Sequence, residues 1–254
     1  MDRRDIALLE SIKLTLGVGK IAKSGKKLIQ YRVSSVEDLS ATVTHFDKYP
    51  LLTQKRADFE LLKRALEIMN RKEHLTSEGL QKIVNIKASM NRGLSAKLKS
   101  AFPNTKPVSR PEIDFSGFTN PQWLSGFTEG EGCFFVCSRK ARLLKQGMQI
   151  NLIFMLTQHS RDSKLLKGLT EYLGCGKYYF RPNYSFDQFQ VTSWSGITEK
   201  IIPFFDKYPL QGAKLRDYAD FKRVADLMKG KAHLTEDGLD QILKIKRGMN
   251  KGRS

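Results

Sequence analysis

The chain has 254 residues, and its 44 Lys+Arg against 26 Asp+Glu leave a net charge of +18 and a pI near 9.8. A hydrophobic share of 40% and a charged share of 28% exclude a disordered or collagen-like chain and suit one large or two ordinary domains. No apolar run is long enough for a transmembrane helix, and self-repulsion on this scale points to a polyanionic partner, nucleic acid before a membrane surface.

The opening segment, MDRRDIALLESIKL, carries acids and no apolar core of a signal peptide. Ile6, Leu9, Ile12 and Leu16 recur at helical spacing, and Gly17–Gly19 ends that helix. Residues 19–34 read as a hairpin turning near Ser24–Gly25. Within it Gln30, Arg32 and Ser34 share one face, with Ile29, Tyr31 and Val33 on the other. Helices follow. Thr76 is placed to N-cap one of them, and its Leu80, Ile83, Val84, Lys87 and Met90 stripe reads as core. Residues 94–120 hold Pro103, Pro107 and Pro111 and read as an extended linker.

Beyond the linker, Asn120 can N-cap a helix that Pro121 opens. In WLSGFTEGEG (123–132), Gly126 and Gly130 lie on one helix face that admits a close backbone neighbour, and Gly132 is a natural stop. CFFVCSR (133–139) and MQINLIFMLT (148–157) read as strands joined by a basic loop with Lys140, Arg142 and Lys145. In the second, Met148, Ile150, Leu152, Phe154 and Leu156 alternate with Gln149, Asn151 and Thr157, so one face is buried. Cys133, Cys137 and Cys175 are too few for a disulfide framework, and four-apart spacing without a second pair argues against zinc.

The chain then repeats itself. Residues 46–93 align without a gap to 205–252, at an offset of 159 and with 23 identities in 48 positions. Residues 5–20 match 162–177 at an offset of 157, and the end of IQYRVSS (29–35) matches that of FDQFQVTS (186–193). Gln188, Gln190 and Thr192 therefore repeat the polar face, and Thr235 repeats the cap at Thr76. A unit of this length means two similar domains rather than a solenoid: 1–93, a linker over 94–120, and 121–254. About 45 residues of the second copy (118–161) precede the point where similarity begins, so the first copy lacks its opening helix and hairpin.

Glu131 sits in the last turn of the 121–132 helix, where the negative end of the dipole disfavours a carboxylate by roughly 0.3–1 kcal/mol. A divalent cation would reverse that sign, but on composition alone a solvated glutamate at a frayed helix end is the stronger reading.

GFTEGEG within WLSGFTEGEGCF resembles the LAGLIDADG motif, with Leu124, Gly126, Phe127, Glu129, Glu131 and Gly132 at matching positions. LTQHSRD (156–162), LGCGK (173–177), FDKYPL and KRADF (55–59) extend the likeness to single-chain, organelle-intron homing endonucleases of that family. The resemblance implies an α+β fold: two pseudo-twofold-related αββαββα repeats with saddle-shaped antiparallel sheets, the first truncated. It implies that Glu131 binds Mg²⁺, that Gln158, Lys55 and Lys214 join it in catalysis, and that Glu129 is structural. It implies cleavage of both DNA strands with short 3′ overhangs, in a mitochondrion. The sheet's polar face would enter the major groove. There Arg32 would meet guanine and Gln30, Gln188 and Gln190 adenine, with Ser34, Gln149, Asn151 and Thr192 alongside. Lys20, Lys23, Lys26, Lys27, Arg139, Lys140, Arg142, Lys145, Lys177 and Arg181 would meet phosphates.

One motif helix instead of two leaves the expected site half-present. The start of the first copy in mid-repeat favours truncation of a longer frame, over pairing of two chains through the 121–132 helix or decay to a catalytically dead binder. The competing function is an RNA maturase that helps a host intron splice. Monomer and homodimer both stay open.

Overall fold

The computed structural model describes residues 1–143 and 146–250. It divides into a first unit, Met1–Ser116, and a second, Gly117–Ser254. Among the described residues no helix is long and apolar enough to cross a membrane.

The first unit opens with α1 (Ile6–Leu16), then β1 (Lys20–Lys23) and β2 (Ile29–Arg32) as an antiparallel pair, then α2 (Val36–Lys48), α3 (Lys55–Asn70), α4 (Ser77–Ala88) and α5 (Ala96–Ala101). α1 stops where Gly17 adopts a left-handed conformation, φ 70°, that a side chain would resist. Ser35 and Thr76 accept hydrogen bonds from Asp38 and Gly79 N–H and so start α2 and α4. The core gathers Leu9, Ile29, Phe59, Leu61, Leu66, Val84 and Ile86.

The segment expected as an extended linker is neither wholly extended nor detached. Ser95 caps the short helix α5, and the prolines follow it. The chain beyond is fastened to its own unit. Ser89 donates to the Val108 carbonyl at 2.5 Å, and Gln54 Nε2 donates to the Ile113 carbonyl at 3.0 Å. Arg110 Nη1 donates to Asp58 at 2.7 Å and to the Ser89 carbonyl at 2.9 Å, and Nη2 donates to the Gln54 carbonyl at 3.0 Å. The proline count hid this, because polar groups from distant helices supply the partners that the irregular backbone cannot find locally.

The second unit runs α6 (Pro121–Glu131), β3 (Gly132–Lys140), β4 (Met148–His159), α7 (Ser163–Leu173), β5 (Lys177–Tyr179), β6 (Phe186–Val191), α8 (Ile202–Lys207), α9 (Lys214–Lys229) and α10 (Glu236–Arg247). This is an αββαββα order followed by two helices, α9 and α10, one more than the sequence pattern suggests. The sheet is antiparallel, in the order β3-β4-β6-β5. Its inner face presents Phe134, Val136, Ile150, Leu152, Phe154, Leu156, Phe189 and Val191, all buried. Phe134 is packed by Phe154, Phe205, Tyr218 and Phe221 at centroid separations of 5.2–5.4 Å. Leu165, Leu166 and Leu169 of α7 close the layer. Burying each such side chain contributes about 1.5–3 kcal/mol, so the helical layer is held to one face and the other is left open.

Just before α8, residues Gly196–Ile201 widen into π-helix. Pro203 has no N–H to give and its ring crowds the turn behind it, whereas Thr44 at the corresponding place leaves α2 regular.

Candidate nucleic-acid interface and metal site

The end of α6 is assembled from three segments of the second unit. Asn120 Oδ1 accepts from Gln122 N–H at 2.9 Å to start the helix. Ser125 Oγ donates to the Tyr208 carbonyl at 2.7 Å. Glu129 Oε1 accepts from the Gln211 and Gly212 amides at 2.8 and 2.7 Å. These bonds staple α6 to the turn that feeds α9, so Lys214, the first residue of α9, reaches the helix end and Nζ donates to the Gly132 carbonyl. Glu131, the last residue of α6, stays exposed. Gly132 pairs with Leu156 across the sheet, so Gln158, two residues further along β4, runs beside the same end. Its Oε1 accepts from His159 N–H at 2.9 Å. The second unit thus brings Glu131, Gln158 and Lys214 to one corner. Lys55 heads α3 in the first unit, at the repeat position of Lys214. A Cβ at Gly126 or Gly130 would meet no atom within 4 Å, so that helix face is open.

Ladder register places the rest. The rows Arg139–Gln149, Cys137–Asn151, Met155–Gln190–Lys177 and Thr157–Gln188–Tyr179 cross the sheet on the face opposite Phe134 and Phe154. Lys140 ends β3 and Arg142 lies exposed in the following turn; Lys145 lies outside the described residues. Thr192 is exposed just beyond β6. In the first unit Lys20 pairs with Arg32 and Ala22 with Gln30, which joins Lys20 to the expected polar face, and Ser34 lies exposed beyond the strand. Lys23 pairs with Ile29 on the opposite face. Lys26 and Lys27 are exposed in the turn.

Gln188, expected to pair with adenine, has its amide engaged at both ends. Its Oε1 accepts from Arg181 Nε (3.1 Å) and Nη2 (2.8 Å) and from Gln190 Nε2 (3.0 Å), while its Nε2 donates to Thr157 at 3.4 Å. Beneath it Asp187, 1% exposed, accepts from Tyr178 hydroxyl at 2.8 Å and from Arg181 N–H at 3.2 Å. Burial, helped by the Asp187 carboxylate, pushes the Tyr178 hydroxyl up to about 12. Tyr178 and Asp187 escaped the sequence reading. The available signal was an acid at a core-facing register position in FDQFQV, since a buried carboxylate needs partners. Burial also raises the Cys133 thiol, and the three cysteines are free.

An antiparallel sheet with one apolar and one polar-basic face, beside a helix that ends in an exposed carboxylate near a lysine and a glutamine, marks an α+β protein whose open face is suited to nucleic acid. A family profile described as LAGLIDADG endonuclease matches residues 1–66 and 124–225. The chain is 41% identical over 242 residues to probable intron-encoded endonuclease 3 of Neurospora crassa, covering 94% of this chain and 45% of that protein. It is 36% identical over 262 residues to probable intron-encoded endonuclease 2 of the same fungus, covering 98% and 56%. It thus spans about half the length of these relatives. The crystal structure of the I-SmaMI LAGLIDADG homing endonuclease bound to cleaved DNA superposes with a TM-score of 0.97 at 45% identity, over 100% of this chain and 85% of that one. The chain belongs to the LAGLIDADG endonuclease family.

Proposed function

We propose that this chain is the recognition and cleavage portion of an intron-homing endonuclease. It binds a specific DNA duplex and hydrolyses a phosphodiester bond in each strand with Mg²⁺. The observation that carries the reading is the corner that exposed Glu131 shares with Lys214 and Gln158 at the edge of an open polar sheet. The relatives' names support it. So does a spacing: I-SmaMI has been studied with two lysines changed to alanine, 159 residues apart, which is the separation of Lys55 and Lys214 here.

The residues suit the metal. Among the described residues no three His, Cys, Asp or Glu side chains form a ready-made cage. Mg²⁺ does not need one, because it keeps several waters and takes one or two carboxylates plus substrate phosphate oxygens. Bound there, it would activate water and neutralise developing charge. Glu131 would anchor it, Gln158 would orient groups beside it, and Lys214 would supply positive charge near the scissile phosphate. Lys55 holds the repeat position of Lys214 in the first unit and is proposed for the matching role there. A protein of ND4 intron 1 in Podospora anserina is among the relatives, which supports a mitochondrial setting.

Glu131→Gln should abolish cutting while duplex binding stays largely unchanged. Plasmid cleavage in Mg²⁺ together with a binding isotherm reads both; cutting that survives the substitution would refute the assignment. RNA binding with no DNA cleavage by the parent chain would favour the maturase role instead.

A further inference from the structure

The basic residues on a DNA-facing sheet usually hold phosphates, and a phosphate contact needs little more than reach. Arg181 is restrained far beyond that. Its backbone N–H is tied to Asp187 at 3.2 Å, and that carboxylate is itself fixed by Tyr178 at 2.8 Å. Its guanidinium carbon stands 5.9 Å from the centre of the Tyr179 ring. Its Nε–Nη2 edge grips Gln188 Oε1 at 3.1 and 2.8 Å. Gln188 is in turn braced by Thr157 and Gln190 at 3.4 and 3.0 Å. A planar guanidinium held by one edge presents the other, Nη1–Nη2, as a second fork. Among the described residues the Arg181 guanidinium bonds only through Nε and Nη2, which leaves Nη1 without a partner. Such a fork matches the two acceptors, O6 and N7, that guanine shows in the major groove. Fixing a long side chain beforehand removes an ordering cost that binding would otherwise carry.

We infer that Arg181 reads a guanine directly and that Gln188 is its positioning residue rather than a reader of adenine. The inference rests on the proposed DNA-binding function and sharpens it to one base pair.

The test uses the full chain and a pool of random-sequence duplexes, from which bound DNA is selected and sequenced, with affinities then measured on the winner and its single-base variants. The parent chain should favour guanine at one position by roughly 5- to 150-fold. Arg181→Ala should erase that preference and leave the other positions as they were. Gln188→Leu should weaken the same preference, and Gln188→Glu, which keeps an acceptor for the fork, should restore it. Thermal melts of each variant establish that it is folded. Equal weakening on every duplex by Arg181→Ala, with the salt slope reduced by about one, would make it a phosphate contact and overturn the inference while the function stands. A parent chain that selects no sequence would remove the function, and this reading with it.

Discussion

Two carboxylates two residues apart on α6 carry opposite duties. Glu129 is spent on two backbone amides, so Glu129→Ala should lower stability by about 1–3 kcal/mol without touching the exposed Glu131. A thermal melt reads the loss, and unchanged melting would show that the turn before α9 does not depend on this acid. Asp58 offers a pH-dependent case. Burial works to raise its carboxyl, but hydrogen bonds from Arg110 and the Asn91 amide outweigh it and hold the group below its ordinary value. A folded-state value below the unfolded one adds stability above about pH 4, which is lost as pH falls through the folded value. Arg110→Ala should therefore cost about 2 kcal/mol near neutrality. The gap between parent and variant should narrow in acid, as chemical denaturation at several pH values would reveal. The family motif led to the expectation of Glu131, Gln158 and Lys214 as a group, and the fold brings the three to one corner. The Arg181–Gln188 grip was not legible, because a hydrogen bond between side chains leaves no periodic trace in a sequence.

Elements followed the sequence wherever periodicity and caps agreed. The alternation in β4, the caps at Asn120, Thr76 and Thr235, and the stop at Gly17 all appear where the residues place them. α5 was hidden by its proline-rich surroundings, and the π-helical turn before Pro203 by the lack of any sequence rule for widened turns. The repeated LT-x-x-GL signature has a steric cause. Thr76 and Thr235 bond the Gly79 and Gly238 amides at 3.0 and 3.2 Å. A Cβ at either glycine would collide with a backbone carbonyl, of Glu73 or Ala232 respectively. Gly79→Ala and Gly238→Ala should each cost about 2–4 kcal/mol, seen as a lower denaturation midpoint. A neutral result would mean that the turn yields more easily than its backbone suggests.

At the scale of the whole molecule, charge and duplication dominate. A surplus of +18 would make the proposed DNA binding a counterion-release process. With six to ten phosphate contacts, affinity should fall on the order of 10³- to 10⁵-fold between 50 and 200 mM salt, and a flat titration would rule out a polyanion as partner. Duplication persists in detail. Lys63 meets Asp47 at 2.7 Å and Lys222 meets Asp206 at 2.6 Å, and the Asn91 and Asn250 amides bond Asp58 and Asp217 at 2.9 Å each. Each pair is offset by 159 residues, so identity in the alignment already marked the latches.

What the copies do not share lies on their strands. Gln30 answers to Gln188, yet Arg32 stands where the second copy has Gln190, and Arg181 has the exposed turn around residue 24 for its counterpart region. The internal fastenings are kept between the copies while the outward strand residues differ. On the proposed DNA-binding function, the two halves should favour different half-sites, so the duplex selected from a random pool is expected to be asymmetric rather than palindromic.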